Sequence, residues 1–137
     1  MPRMVILKHV FPEPDADIPG AKDRIAQDGI RKSANHWDLM LEHPSESTLM
    51  TWALESPPEA GLQISATQIA NHRLKYLEYE GPISNDRGSV ARIFESSFEW
   101  GEFTKQRIVI RLDSERFSKI EILLQSESNW SVQFSKA

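Results

Sequence analysis

The spacing of apolar residues predicts an all-β domain, a barrel or sandwich of about seven or eight short strands in which helix is scarce. Three observations predict it. Segment after segment either alternates apolar and polar residues or forms a short apolar run with β-branched members. Turn chemistry rich in Pro, Gly, Asn and Ser separates these segments. The chain has 137 residues, 39% hydrophobic and 26% charged, which is the length of one domain and the composition of a folded one.

Taken in order, Met4, Val5, Ile6 and Leu7 form an apolar run, so Arg3–Val10 reads as the first strand. Residues 11–35 change character. Pro12, Pro14, Pro19, Gly20 and Gly29 punctuate them, and their charges nearly cancel. They read as a long loop insertion with one helical turn near residues 21–27, and loops of this length are usually functional or mobile. His36–Glu42 alternates cleanly: Trp37, Leu39 and Leu41 point one way, and His36, Asp38, Met40 and Glu42 the other. His43-Pro44-Ser45-Glu46-Ser47 is a turn, and Thr48–Leu54 completes a hairpin. Pro57 and Pro58 break the chain again. Residues 62–71 read two ways. Ser65 and Gln68 have the spacing of a helix capping box, while Ile64, Thr67 and Ile69 suit a strand. An aromatic stretch with Leu74, Tyr76 and Tyr79 follows, then a loop over residues 81–88. Further strands are expected at residues 89–95, 106–112, 119–124 and 130–134.

Composition excludes several classes. No apolar run approaches the roughly 18 residues of a membrane span. The N-terminal run is too short for a signal peptide and is not followed by a small-residue cleavage site. Cysteine is absent, which excludes disulfides, thiol catalysis and Cys-based zinc sites. The expectation is a soluble, cytoplasmic domain with no membrane partner. The net charge of −4 argues against non-specific duplex binding, which needs a broad basic face. It leaves room for an enzyme that grips one nucleic-acid end with a local patch. The sequence has no Gly-x-Gly-x-x-Gly, no Walker-type phosphate loop and no nucleophile elbow.

Four histidines carry the remaining chemistry: His9, His36, His43 and His72. His36 and Asp38 lie two apart on one strand face, about 7 Å between stems, which suits two ligands of one cation. His9 ends the first strand, where a neighbour can bring it alongside. His, His and Asp make a mixed nitrogen and oxygen donor set for Mn²⁺ or Zn²⁺, although a His-x-Asp pair also arises by chance as a surface pair. His43 reads as solvated in its turn. His72 on its own reads as structural, Trp52, Trp100 and Trp130 as core, and Tyr76 and Tyr79 as either core or site hydroxyls. Arg31-Lys32, Arg73 and Lys75 are candidate phosphate contacts, though single basic residues usually only solvate a surface.

The ordered motifs carry more. Lys8-His9 closes a strand, followed by His36-Trp37-Asp38-Leu39-Met40-Leu41-Glu42 and by Thr51-Trp52-Ala53. After these comes Asn71-His72-Arg73-Leu74-Lys75-Tyr76-Leu77-Glu78-Tyr79-Glu80-Gly81-Pro82-Ile83. This series resembles the 3′-phosphoesterase domain of bacterial DNA ligase D, a domain that also exists free-standing. Its pattern runs Lys-His, His-Tyr-Asp-Phe-Arg-Leu-Glu, Ser-Trp-Ala, then Asp-His-Pro-Leu-x-Tyr-x-x-Phe-Glu-Gly-x-Ile. The similarity runs motif by motif over about residues 5–94, and the C-terminal third matches only as generic strands. The resemblance implies a small, partly open β-barrel with a crescent-shaped pocket. It implies a Mn²⁺-dependent enzyme that trims 3′-terminal ribonucleotides and then removes the remaining 3′-phosphate, and a nucleic-acid 3′ end as substrate. It also implies a repair ligase or polymerase as partner. It places metal ligands at His9, His36 and Asp38, a phosphate-contacting histidine at His72 and a site tyrosine at Tyr76.

The departures lie in the phosphate half of that site. The family's arginine after His-x-Asp-x is here Met40, and a second phosphate-binding arginine aligns with Ile64. Arg73 replaces the proline after the site histidine. The connection between the first two motifs is much longer, and the glycine-rich turn shrinks to Ser84-Asn85-Asp86-Arg87-Gly88. Methionine supplies neither charge nor donor where an arginine forks onto phosphate. Arg73, Arg87 or a basic residue of the long loop (Lys22, Arg24, Arg31, Lys32) can substitute. The expectation is therefore a metal-dependent 3′-phosphoesterase. The alternative is a catalytically impaired relative that binds a metal or a nucleic-acid end, and a third reading is a structural domain with no metal at all.

Overall fold

The alternating segments pair with their neighbours into one antiparallel sheet. A computed structural model describes residues 1–11, 35–83 and 87–137. The strands are β1 (Arg3–Val10), β2 (His36–Glu42), β3 (Thr48–Leu54), β4 (Gln63–Arg73), β5 (Gly81–Pro82), β6 (Ser89–Phe103), β7 (Arg107–Leu112), β8 (Phe117–Ser126) and β9 (Asn129–Lys136), with a 3-10 turn at Leu74–Leu77. Their order is β1-β2-β3-β4-β9-β8-β7-β6-β5, and β6 also pairs with β1. The pairing closes the sheet into a ring and leaves the two-residue β5 as an appendage on β6. Strand β6 spans the seam: its first half pairs with β1 and its second half with β7. The mainly β, barrel-like class expected from the sequence is what the chain forms, with nine strands among the described residues where seven or eight were expected.

Residues 62–71 resolve as strand. Ile64 and Ala66 are buried while Ser65 and Thr67 are exposed, so the alternation over Ile64–Ala66 outweighs the capping-box spacing. The helical turn expected near residues 21–27 and most of the 11–35 insertion lie outside the described residues. Among the described residues no helix is long and apolar enough to cross a membrane.

Two apolar clusters occupy opposite faces of the sheet. The larger fills the ring with Met4, Ile6, Leu39, Leu41, Trp52, Phe98, Ile120, Val132 and Phe134 among others, all fully buried or nearly so. Each such side chain stabilises the fold by roughly 1.5–3 kcal/mol relative to exposure. The smaller cluster lies on the outer face and joins Val5, Leu7, Met40, Leu49, Tyr76, Leu77 and Val90. It is built from the alternate residues of β1 and β2 and from the 3-10 turn, which packs on them. The candidate site lies on this outer face.

Candidate metal centre

Antiparallel register brings the outer-face residues of β1 and β2 together. His9 pairs directly with His36, Leu7 with Asp38, and Val5 with Met40. Directly opposed residues share a face and hold their Cβ atoms about 4.5–5.5 Å apart. The pairing therefore supplies what the sequence left open, namely the neighbour that brings His9 to His36 and Asp38. One donor atom from each of the three lies within 4.8 Å of the others.

The hydrogen bonds decide which atoms face inward. His9 Nε2 lies 2.8 Å from the Arg87 carbonyl oxygen. A carbonyl only accepts, so Nε2 carries a proton and donates it. His9 Nδ1 then faces Asp38 Oδ2 at 3.4 Å. If Nδ1 is unprotonated, two lone pairs oppose each other, and a cation between them relieves the repulsion. A proton does so by making an imidazolium, and a divalent metal does so by coordination. Burial opposes charge on His9, but the Asp38 carboxylate and the Arg87 carbonyl outweigh it and raise the His9 pKa above its ordinary value. Burial likewise opposes the Asp38 anion, but the His36 and His9 rings outweigh it and hold the Asp38 pKa below the usual range.

Asp38 is 1% exposed. Its Oδ1 lies 2.9 Å from His36 Nε2 in an ion-pair contact, with no other partner for this buried oxygen among the described residues. A buried anionic oxygen is expensive unless a cation meets it. The donor set therefore fits a metal on two counts: a buried carboxylate oxygen met only by a histidine, and a histidine whose distal N–H is already anchored to a carbonyl. Metal-bound histidines are commonly oriented in this way. The ring of Phe11 stacks on His9 with centroids 4.1 Å apart and lies 5.2 Å from His36, covering the pair from one side.

His72 reaches the same face through an irregularity. Leu49 pairs with His72 and Thr51 with Ile69, so β4 carries one extra residue there. Strict alternation would set Asn71 opposite Leu49, and the bulge puts His72 there instead. Bulges commonly re-aim a side chain beside a functional site. His72 Nδ1 donates to the Ala70 carbonyl at 2.9 Å, which leaves Nε2 as the nitrogen available for proton exchange. The His72 ring packs edge-on against Tyr76, with centroids 5.5 Å apart.

A cleft of about 110 Å³ runs between these groups, lined by His9, Asp38, Met40, His72, Tyr76 and Arg87 among others. At about 30 Å³ per water molecule, it admits a phosphoryl-sized group but not a nucleotide. The three expected metal ligands, His72 and Tyr76 thus lie on one face, with Tyr76 in both the apolar cluster and the cleft. Arg73 is exposed beside His72 but does not line the cleft. Arg87 lines it and holds His9 through its carbonyl. Met40 also lines it, with 1% exposure. Ile64 lies on the other side of the sheet, 2% exposed in the ring interior, so a side chain there does not reach the cleft.

Two further expectations change. His43 is half-buried, not simply solvated, and its Nδ1 accepts from the backbone N–H groups of Ser45 and Glu46, capping the hairpin turn. The Tyr79 hydroxyl donates to the Pro82 carbonyl, a structural role that fixes the turn after it. Trp52 and Trp130 are core, and Trp100 packs against it partly buried. Sequence reading did not find Phe11 as a site residue. Its only signal was position, two residues past His9.

No family model matches the chain, and no curated protein does.

Proposed function

We propose that the chain is a divalent-metal-dependent phosphoesterase that acts on nucleic-acid 3′ ends, as the 3′-phosphoesterase domain of bacterial DNA ligase D does. The observation that carries this reading is the convergence of His9, His36 and Asp38, two of which (His9 and Asp38) line a phosphoryl-sized cleft together with His72. A bound Mn²⁺ or Zn²⁺ supplies charge neutralisation for a phosphoryl oxygen and a water of lowered pKa. The chain's own residues do the rest. Asp38 and the two histidines would hold the cation, and the Arg87 carbonyl fixes the His9 ring. His72, with its Nδ1 proton on Ala70, presents Nε2 to donate a proton to a phosphoryl oxygen or the leaving group when charged. Tyr76 orients the His72 ring edge-on, and the walls of Met40 and Ile83 keep water scarce around the reacting group.

The test is a cleavage assay with Mn²⁺ on a labelled duplex whose primer strand ends in a 3′ ribonucleotide, run beside His36→Ala. Loss of the terminal nucleoside by the wild type alone is the expected result. No cleavage by folded protein in excess Mn²⁺, or equal cleavage by His36→Ala, overturns the reading. Met40 favours a second reading. Where the family it resembles carries a phosphate-binding arginine, the cleft wall is an apolar side chain. A chain that binds Mn²⁺ and a 3′-phosphorylated end without turnover would be a binding module.

A further inference from the structure

We propose that the open end of the ring interior is a second binding site, built for a small planar aromatic anion. It uses the opposite face of the sheet from the metal centre. Met50, Trp52, Ile108 and Trp130 all belong to the interior cluster, and with Phe103, Thr104 and Lys105 they line an open groove of about 420 Å³. Ligand pockets run from about 300 to 1,000 Å³ and favour the mouths of β-barrels.

The rim is placed by a bulge. Trp100 pairs with Ile110 but Glu102 pairs with Val109, so Gly101 is an extra residue in β6. Alternation from Phe98 and Trp100 would send Glu102 into the ring and Phe103 outward. The bulge reverses this and sets Phe103 opposite Ile108, on the interior side. Gly101 suits the position because a Cβ there would lie 3.1 Å from the Val109 carbonyl oxygen. Phe103 remains 47% exposed. A large apolar ring turned inward at an open end and left half uncovered is a wall that lacks its neighbour.

The polar groups set the ligand's chemistry. Gln68 stands opposite Trp52 in the register and so continues the interior line of Ile64 and Ala66 with an amide. Lys105 lines the groove and makes no ion pair among the described residues. An ammonium and an amide beside an exposed aromatic ring select a flat apolar body with an anionic group. The exposed Phe103 ring is the aromatic surface such a body stacks on, and the buried Trp52 and Trp130 rings, edge to face at 5.7 Å, back it.

The test is titration of the full chain with naphthalenesulfonate and with neutral naphthalenemethanol, read by tryptophan fluorescence and calorimetry. The expected result is saturable uptake of one naphthalenesulfonate per chain. Lys105→Glu should weaken the anion about tenfold by replacing attraction with like-charge repulsion, and leave the neutral probe unchanged. Phe103→Ala should weaken both probes. Both side chains are exposed, and circular dichroism checks that the variants fold. The proposal is overturned if the folded wild type takes up neither probe. It is also overturned if uptake ignores both substitutions, or if uptake disappears in His36→Ala, which places the dye in the metal cleft. Sedimentation that shows a Phe103-dependent dimer without dye uptake overturns it as well, because Phe103 then serves contact between copies.

Discussion

Gly88 is a position where one methyl group should damage both the fold and the metal centre, and Gly61 provides the control. Gly88 has φ +90°, and a Cβ there would lie 2.0 Å from the Val10 carbonyl oxygen and 2.9 Å from its carbon. These are backbone atoms of Val10 at the end of β1, which its pairing with Ser89 of β6 holds in place. Gly61 has φ +82° with nothing within 4 Å of the added atom. Gly61→Ala therefore carries only the left-handed penalty, about 1–2 kcal/mol. Gly88→Ala adds forced displacement of the Arg87–Gly88 backbone, for a total loss of about 3–4 kcal/mol. The displaced groups matter. The Gly88 carbonyl accepts from Ile83 N–H at 2.8 Å, and the Arg87 carbonyl accepts from His9 Nε2 at 2.8 Å. Loss of an outer partner of a metal-bound histidine weakens metal affinity by roughly 10–100-fold. Urea denaturation of the metal-free proteins measures the first effect, and calorimetric Mn²⁺ titration the second. Gly61→Ala should show a modest stability loss with wild-type Mn²⁺ affinity, and Gly88→Ala a larger loss with weakened affinity. Equal stability losses in the two variants would refute the clash argument. Wild-type Mn²⁺ affinity in a destabilised Gly88→Ala protein would refute the claim that Arg87 positions His9.

Asp38→Asn keeps the shape of the side chain but removes the anion between the two histidines. Mn²⁺ binding by calorimetry should fall more than 100-fold, on the order of 3 kcal/mol. Met40→Arg introduces a guanidinium into an apolar wall. It should destabilise the metal-free protein by about 1–3 kcal/mol in urea and tighten binding of inorganic phosphate in the presence of Mn²⁺. Saturation with Mn²⁺ at about 100 times its dissociation constant should stabilise the fold by about 2.7 kcal/mol, and chelation should reverse this in a thermal melt. Glu121 has its carboxyl held below the ordinary range first by the Lys119 ammonium, 2.9 Å away. A lowered pKa adds stability above the ordinary value of 4.5 and loses it as pH falls through the folded value. The pair is solvent-screened, so Glu121→Gln should cost at most about 0.5 kcal/mol at neutral pH and nothing in acid.

The face that carries the candidate metal site was legible in the sequence because much of it lies within one regular strand. Period two places His36, Asp38 and Met40 together whatever β2 pairs with, and the pattern of β3 marked a hairpin. His9 could be placed only at a strand end, because its opposition to His36 is a property of the β1–β2 register across an insertion of more than twenty residues. The length of β6 was not legible for a related reason. Ser89–Phe103 reads as one strand only when its neighbours are known, since Ile93 and Gly101 each break its alternation. Ile64 shows the same limit from the other side. Motif alignment set it where the family has an arginine, yet its side chain belongs to the ring interior.

Three of the sheet's register irregularities, one in β4 and two in β6, share a physical cause and a consequence. An extra residue in one strand has no partner opposite it, so the side chains beyond it change face. At Ile93 this lets β6 present Val90 and Arg92 to the outer face and Phe94 and Phe98 to the interior. One strand thereby serves the cleft wall at its start and the core further along. In β4 it turns His72 toward the cleft, and at Gly101 it turns Phe103 toward the mouth. Hydrophobic alternation alone would build a ring with an apolar inside and a polar outside. A cleft on the outer face and an unfinished wall at the inner mouth both require departures from it. Those departures fall where β4 and β6 are paired along one edge only, because such a stretch gives up less ladder bonding to accommodate one. The same reasoning explains why period-two reading succeeded on β2 and failed on β6: β2 is paired along nearly its whole length on both sides and has no such latitude.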